Sequence, residues 1–335
     1  DGQHMLVSLT DRPFMHVVGV NSAERFHQRT TVAAPVRDFV TNSDGSLLFV
    51  ALDKRLFIWL LATGELLCAR DIHLQDITAL KLSVDDALLV TAAADGVVKV
   101  HVVSDLVSDG ALSTATPLRE WRAHSLAVTG VSLSSSTSLR VASCSRDHTA
   151  TIHSVAIDAC LLRISCDRPL TSIALCPSET RLLLGTDKGS VVCASLHEAA
   201  KKGQEEILLS STNATSGDFV LRGSHEGEVT SLAFNADGAV VATGDEKGKY
   251  VVWQLATRQV LKEATLRGAI GHLEFVPVWQ ALQNKPNKTI RRPRLELQRT
   301  VSERKQLQLL KREERSKEEE DSWASVIDDL LGAGT

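Results

Sequence analysis

Three residue types capable of acyl-transfer chemistry stand close together in the chain: His124, Ser143 and Asp147. A histidine base, a hydroxyl nucleophile and an orienting carboxylate make a hydrolytic triad when they meet at one open cleft. Downstream, "GTDKGS" over 185–190 has the glycines and lysine of a phosphate cradle but lacks the G-x-x-x-x-G-K-[ST] spacing. Cys68, Cys144, Cys160, Cys166, Cys176 and Cys193 could ligate zinc, yet no two form a C-x-x-C pair. They predict reduced core thiols of an intracellular chain, which makes the sequons at Asn213 and Asn287 chance matches. H-E-x-x-H, G-x-S-x-G and EF-hand patterns are missing, so no catalytic residue, metal ligand or cofactor is expected.

The triad reading weakens when its spacing is followed along the chain. Asp147 opens "DHTATIH", which ends at His153, and the same interval recurs. "DKRLFIW" runs from Asp53 to Trp59, "DGVVKVH" from Asp95 to His101, "DKGSVVC" from Asp187 to Cys193 and "KGKYVVW" from Lys247 to Trp253. Each is a turn, then an alternating strand, then a bulky or semi-apolar residue. A second piece lies upstream of each, beginning at Val36, Ile77, Val128, Leu170 and Val229, as in "ITALKLSVDDALLVTAA" and "VTSLAFNADGAVVATGD". Two of the intervals are lengthened by polar insertions, "SDGALSTATP" and "HEAAKKGQEEILLSSTNATSGD".

A period of about 40–45 residues with four strand-like runs per unit is the signature of a WD-repeat propeller. Local chemistry agrees. The runs alternate with period two, and Asn42-Ser43-Asp44-Gly45 and Asn235-Ala236-Asp237-Gly238 are hairpin-turn sequences. A single four-stranded blade cannot bury both its faces, so blades must pack radially. The expectation is an all-β WD-repeat β-propeller, with about six blades represented, each of four antiparallel strands, and a C-terminal helical tail. Asp53, Asp95, Asp147 and Asp187 are expected in tight turns on one face, and "GTDKGS" reads as a hairpin.

Within that fold His124 and His225 fall where a WD repeat has its Gly-His element. His124, Ser143 (or Ser145) and Asp147 then form a hydrogen-bonded blade corner, since a nucleophile has no need to repeat with the fold. Trp59 and Trp253 hold the usual tryptophan place; His101 and His153 stand in for it elsewhere. Lys247 occupies the place of the aspartate in the last unit, which predicts an incomplete network there.

Composition sets the outer bounds. The chain has 335 residues, 43% apolar and 23% charged, and no apolar run approaches the ~20 residues of a membrane span, so no membrane partner is expected. "DGQHMLVSLT" has neither an initiator Met at position 1 nor a basic start before a long apolar core, which predicts a piece of a longer protein without a secretory signal.

Residues 1–284 are assigned to the propeller, 285–299 to a basic linker and 300–332 to a charged amphipathic helix. Residues 285–317 hold twelve Lys and Arg against four Glu, in a chain whose net charge is −4. Thr300 and Glu303 have capping-box spacing, and Gly332 is a natural stop. Trp323, Val326, Ile327, Leu330 and Leu331 share one helical face, with Leu307 and Leu310 as a smaller patch. An apolar face on a charged stalk predicts a docking partner. The basic stretch, Arg291, Arg292, Arg294, Arg304, Lys305, Lys311 and Arg312, predicts attraction to RNA or an acidic surface.

The order of units carries one more signal. "HLQDITALKLSVDDALLVTAAADGVVKVHVV", "HSLAVTGVSLSSSTSLRVASCSRDHTATIHSV", "DRPLTSIALCPSETRLLLGTDKGSVVCASL" and "HEGEVTSLAFNADGAVVATGDEKGKYVVWQL" follow one another, preceded by "FIWLLATGELL". A fourth unit without Gly-His and an insertion after "SVVCASL" resemble the WD-repeat subunit of the rixosome, a nucleolar complex that processes large-ribosomal-subunit precursors. The resemblance implies a seven-bladed parent whose first blade lies upstream of Asp1, with "LVSLTDRPFMHVVGVNS" in the second and "GAIGHLEFVPV" supplying a closing outer strand. It implies a non-catalytic scaffold in the nucleus, nucleolus and nucleoplasm that docks a helical-repeat partner and the pre-ribosomal particle. Self-association through the C-terminal helix and indirect RNA contact are also implied. The alternative is a WD-repeat adaptor that reads a peptide in a ubiquitin-ligase or chromatin complex.

Overall fold

Each sequence unit folds into a meander of short strands, because its period-two pattern gives a strand two faces to bury. In the computed structural model, residues 4–9, 12–19, 27–108, 116–136, 139–203, 205–210, 218–221, 225–276 and 297 are described. A leading sheet holds β1 (His4–Leu9), β2 (Arg12–Gly19) and β3 (His27–Thr31). Blade I follows with β4 (Val36–Thr41), β5 (Leu47–Leu52), β6 (Arg55–Leu60) and β7 (Glu65–Asp71). Blade II has β8 (Ile77–Leu82), β9 (Leu88–Ala93), β10 (Val97–Val102), the short helix α1 (Val103–Ser108) and β11 (Arg119–Arg122). Blade III is built on β12 (Val128–Leu133), β13 (Arg140–Ser145), β14 (Thr149–Ser154) and β15 (Ala159–Cys166). Blade IV has β16 (Leu170–Leu175), β17 (Arg181–Thr186) and β18 (Val191–Ser195), then α2 (Leu196–Lys202), β19 (Glu206–Leu209) and β20 (Phe219–Leu221). Blade V has β21 (Val229–Phe234), β22 (Val240–Asp245), β23 (Lys249–Gln254) and β24 (Gln259–Thr265).

The expected strand count holds in blades I, II, IV and V. The leading sheet has three strands, and blade III has five. Its fifth, β19, comes from the long insertion of blade IV and pairs parallel to β15, placing Ile207 opposite Ile164 and Leu209 opposite Cys166. "GTDKGS" joins β17 to β18 as a hairpin.

Blades pack through both faces, which explains why their second strands are apolar without alternation. On β5, Leu48 and Val50 join Met15, Val36 and Trp59 against the leading sheet. Phe49 and Ala51 turn the other way and join Ile77, Leu80 and Leu89 of blade II. The innermost strands are tied around the ring by a repeated device. Thr129 Oγ1 donates to the Leu170 carbonyl at 3.0 Å, Thr171 Oγ1 to the Val229 carbonyl at 2.7 Å, and Thr230 Oγ1 to the Ile270 carbonyl.

The last of these bonds corrects the place of "GAIGHLEFVPV". Leu273 N donates to Ser231 Oγ at 2.8 Å, as Leu175 N does to Ser132 Oγ at 3.0 Å. Residues 270–273 therefore stand beside β21 where the innermost strand of a following blade belongs, and not at an outer edge. The outer strand of blade V is uncovered on that flank: Val260 is 45% exposed, whereas Leu66, at the matching register in blade I, is 1% exposed.

Candidate interaction surfaces and the blade-corner networks

Each blade corner brings together the loop before an innermost strand and the turn between second and third strands. Asp53, Asp95, Asp147 and Asp187 all sit in that turn, after β5, β9, β13 and β17. The turn is tight. Gly96, at φ +78, lies so close to the His124 carbonyl that a Cβ there would be 2.3 Å from its oxygen.

The set that resembled a triad is gathered at the corner of blade III. His124 Nε2 is 2.9 Å from Ser143 Oγ, which is 3.0 Å from Thr151 Oγ1. His124 Nδ1 is 2.9 Å from Thr149 Oγ1 and 3.5 Å from Asp147 Oδ1. The carboxylate in turn accepts from Ser125 N at 2.9 Å, Thr149 N at 3.0 Å and Thr149 Oγ1 at 2.6 Å. Ser145 makes no bond to His124 itself; its Oγ accepts from Asp147 N at 3.2 Å and donates to the Ala127 carbonyl at 2.8 Å. Burial holds the His124 pKa below its ordinary value, despite the nearby carboxylate. Burial pulls the Asp147 carboxyl up, but bonds from Thr149 and Ser125, with His124 beside it, hold it below the usual carboxylate range. The pair is thus a neutral imidazole on a carboxylate. A tautomer that donates from Nδ1 and accepts at Nε2 satisfies both ends. Ser143 is 1% exposed, so its hydroxyl fixes two strands and meets no substrate.

Blade II repeats the arrangement around the expected Asp95, with His73 and Thr91, neither of them singled out from the sequence. His73 Nε2 meets Thr91 Oγ1 at 2.9 Å, and His73 Nδ1 lies 3.4 Å from Asp95 Oδ2. Blade V overturns the expected gap at Lys247. His225 Nδ1 is 3.1 Å from Asp245 Oδ2, and His225 Nε2 is 2.7 Å from Thr243 Oγ1, which also accepts from Trp253 Nε1 at 3.1 Å. Asp245 completes the network from the end of β22, while Lys247 makes only an exposed pair with Glu226. Among the described residues, no histidine enters the corners of blades I and IV. Trp59 is buried and stacks on Phe57, and Asp187 Oδ1 is buried without a hydrogen-bond partner.

His101 and His153 occupy the tryptophan place, and burial drives both pKa values down to about 4. His153 stacks on Trp121, with ring centroids 4.7 Å apart, and the Trp121 Nε1 donates to Asp158 Oδ1 at 2.8 Å. Neither ring nitrogen of His101 has a hydrogen-bond partner. Because an unfolded histidine titrates near 6.5, the unfolded chain takes up protons that the folded chain refuses between pH 6.5 and about 4. The stability from each ring is therefore complete above pH 6.5 and lost as pH falls, on the order of 2 kcal/mol at pH 5. Thermal melts of wild type and His101→Phe across pH 4–8 check this. The variant should show a shallower acid decline, and parallel curves would contradict it.

The cysteines are unpaired; five are buried and Cys160 is exposed. Burial pushes the Cys144 and Cys193 thiols up to about 12, so they pack as apolar groups. Of the tail, only Leu297 is described; it packs against the cluster of Met15, Val36 and Leu48. Arg291, Arg292, Arg294, Arg304, Lys305, Lys311, Arg312, Leu307, Leu310, Trp323, Val326, Ile327, Leu330 and Leu331 lie outside the described residues.

Six sheets in ring order, three of them with corner networks of His, Asp and Ser or Thr, define a WD-repeat β-propeller protein. The family model "WD domain, G-beta repeat" matches residues 64–101, 115–154 and 218–254. Within that class the chain is similar to the pre-rRNA-processing protein pro-1 of Caenorhabditis briggsae. The identity is 35% over 331 residues, covering 99% of this chain and 62% of that protein. It is also similar to the pre-rRNA-processing protein IPI3 of Yarrowia lipolytica, at 31% over 212 residues, 62% of this chain and 48% of that one. WD repeat-containing protein 18 of Mus musculus matches at 22% over 277 residues, 82% of this chain and 63% of its own length. The resemblance read from the order of units therefore holds: two of these relatives are named for pre-rRNA processing and the third for its WD repeats. The chain spans about three-fifths of the length of the curated relatives it matches over most of its own length.

Proposed function

We propose that the chain is the WD-repeat scaffold subunit of a nuclear and nucleolar complex that processes pre-ribosomal RNA and matures the large ribosomal subunit. The observation that carries this is the similarity to pro-1 along 99% of the chain. The corner chemistry supports a scaffold, because His124, Ser143 and Asp147 are consumed in holding a blade together. In this reading the propeller carries out no reaction of its own. It docks a helical-repeat partner and brings the complex to the pre-ribosomal particle, with RNA contact made chiefly by other subunits.

The tail is the proposed tether. Residues 300–332 form the amphipathic helix, with Trp323, Val326, Ile327, Leu330 and Leu331 as its partner-binding face. That face also serves self-association. The basic residues from Arg291 to Arg312 supply salt-dependent attraction. Residues 270–273 beside β21 and the bare flank of β24 support a further blade seated there, as a seven-bladed parent requires. Affinity purification of the tagged protein from nuclear extract, with mass spectrometry, tests the proposal. It should recover a helical-repeat scaffold and large-subunit precursor proteins. Recovery of a ubiquitin ligase or a histone set in their place would support the adaptor alternative.

A further inference from the structure

The insertion of blade IV is not needed to complete a blade, and it builds a cavity. α2, capped by Ser195 and ended by Gly203 at φ +60, lies over the seam between blades III and IV. Beneath it is a cavity of about 220 Å³ walled by Leu161, Leu162, Leu175 and Leu196, with Arg140 and Glu179 also lining it. A dry cavity of about 150 Å³ lined by such side chains accepts a benzene-sized apolar group.

Glu179 marks the site as more than a packing gap. Its Oε2 pairs with Arg140 Nη1 at 2.6 Å, but Oε1 is buried and has no hydrogen-bond partner. A buried carboxylate oxygen without a donor is costly. The backbone is also strained, because Glu179 sits at φ +54, in the left-handed region. Gly45 and Gly238 hold the equivalent turn position in blades I and V. In blade II the position is Asp86, whose Oδ2 accepts from Ser43 N at 2.9 Å and from Ser43 Oγ. In blade IV Glu179, at a positive φ, leaves one buried oxygen idle beside an aliphatic cavity.

We propose that this cavity is a docking site for a leucine or isoleucine of a partner protein's segment. The aliphatic side chain fills the cavity, and a backbone N–H beside it donates to Glu179 Oε1. A neutral donor suits the site better than a cation, since Arg140 already balances the carboxylate. The site is built from propeller residues alone and does not depend on the rRNA-processing role.

The test uses the full chain with methyl-labelled leucines, titrated with N-acetyl-leucine N-methylamide and followed by NMR. Its glycine counterpart lacks the side chain, and the ester analogue, methyl 2-acetoxy-4-methylpentanoate, replaces both N–H groups by oxygen. The leucine amide should shift the Leu161, Leu162 and Leu196 methyls saturably; the glycine compound should not. The ester should bind about tenfold more weakly. Glu179→Gly, which the turn geometry tolerates, should bring the amide down to the ester's affinity. Ala200→Phe, at an exposed position on the rim, should abolish binding. Equal affinity for amide and ester, or no saturation at all, would overturn the proposal. So would a crystal structure in which an ordered water satisfies Oε1 and the probe does not displace it.

Discussion

Replacing Asp245 with alanine is expected to destabilise the propeller by about 2–4 kcal/mol. The carboxylate is 1% exposed and accepts from His225 Nδ1 at 3.1 Å and Lys249 N at 2.8 Å. Its removal leaves the buried His225 Nδ1–H and the partly buried Lys249 N–H unpaired. Asp147→Ala should cost about 1–3 kcal/mol by the same mechanism at a more open corner. Lys247→Ala should cost no more than about 0.5 kcal/mol, because its partner Glu226 is exposed and surface pairs contribute little. Thermal and denaturant unfolding of the three variants decides the matter; indistinguishable midpoints would remove the corner networks from the account.

The same residues show what was legible before the structure. The repeat could be read because Val36, Ile77, Val128, Leu170 and Val229 each open an innermost strand, and blade packing imposes one pattern at each. The corner of blade III could be read because His124 and Asp147 keep their spacing. Asp245 was missed because it lies two residues ahead of the slot that Lys247 fills, and only the fold shows that Asp245 meets His225 while Lys247 pairs with Glu226. Thr91 and Thr243 were missed for a related reason: a threonine inside a strand has the signal of any strand residue until a ring is seen against it. The pairing of β19 with β15 was not legible at all. It joins the insertion of one blade to the edge of another, and no periodicity records such a contact.

The tail carries the second large effect. Trp323→Ala combined with Ile327→Ala is expected to lower affinity for the complex by about 100-fold or more, since anchors of this kind contribute roughly 2 kcal/mol or more each. The propeller's own melting temperature should not change. Charge reversal at Arg291, Arg292 and Arg294 should weaken association mainly at low salt, where screening is least. Quantitative co-purification at two ionic strengths reads both effects. Deletion of residues 300–335, which leaves Leu297 in its seat on the propeller, should reproduce the loss. Unchanged recovery after that deletion would show the tail to be a solvated appendage.

The most direct test of the scaffold role is pulse labelling of ribosomal RNA after the protein is depleted. Large-subunit precursors should accumulate and mature large-subunit RNA should fall, while small-subunit RNA is spared. Wild-type protein should restore processing, and the Trp323→Ala, Ile327→Ala variant should not. A precursor profile unchanged by depletion would contradict the account.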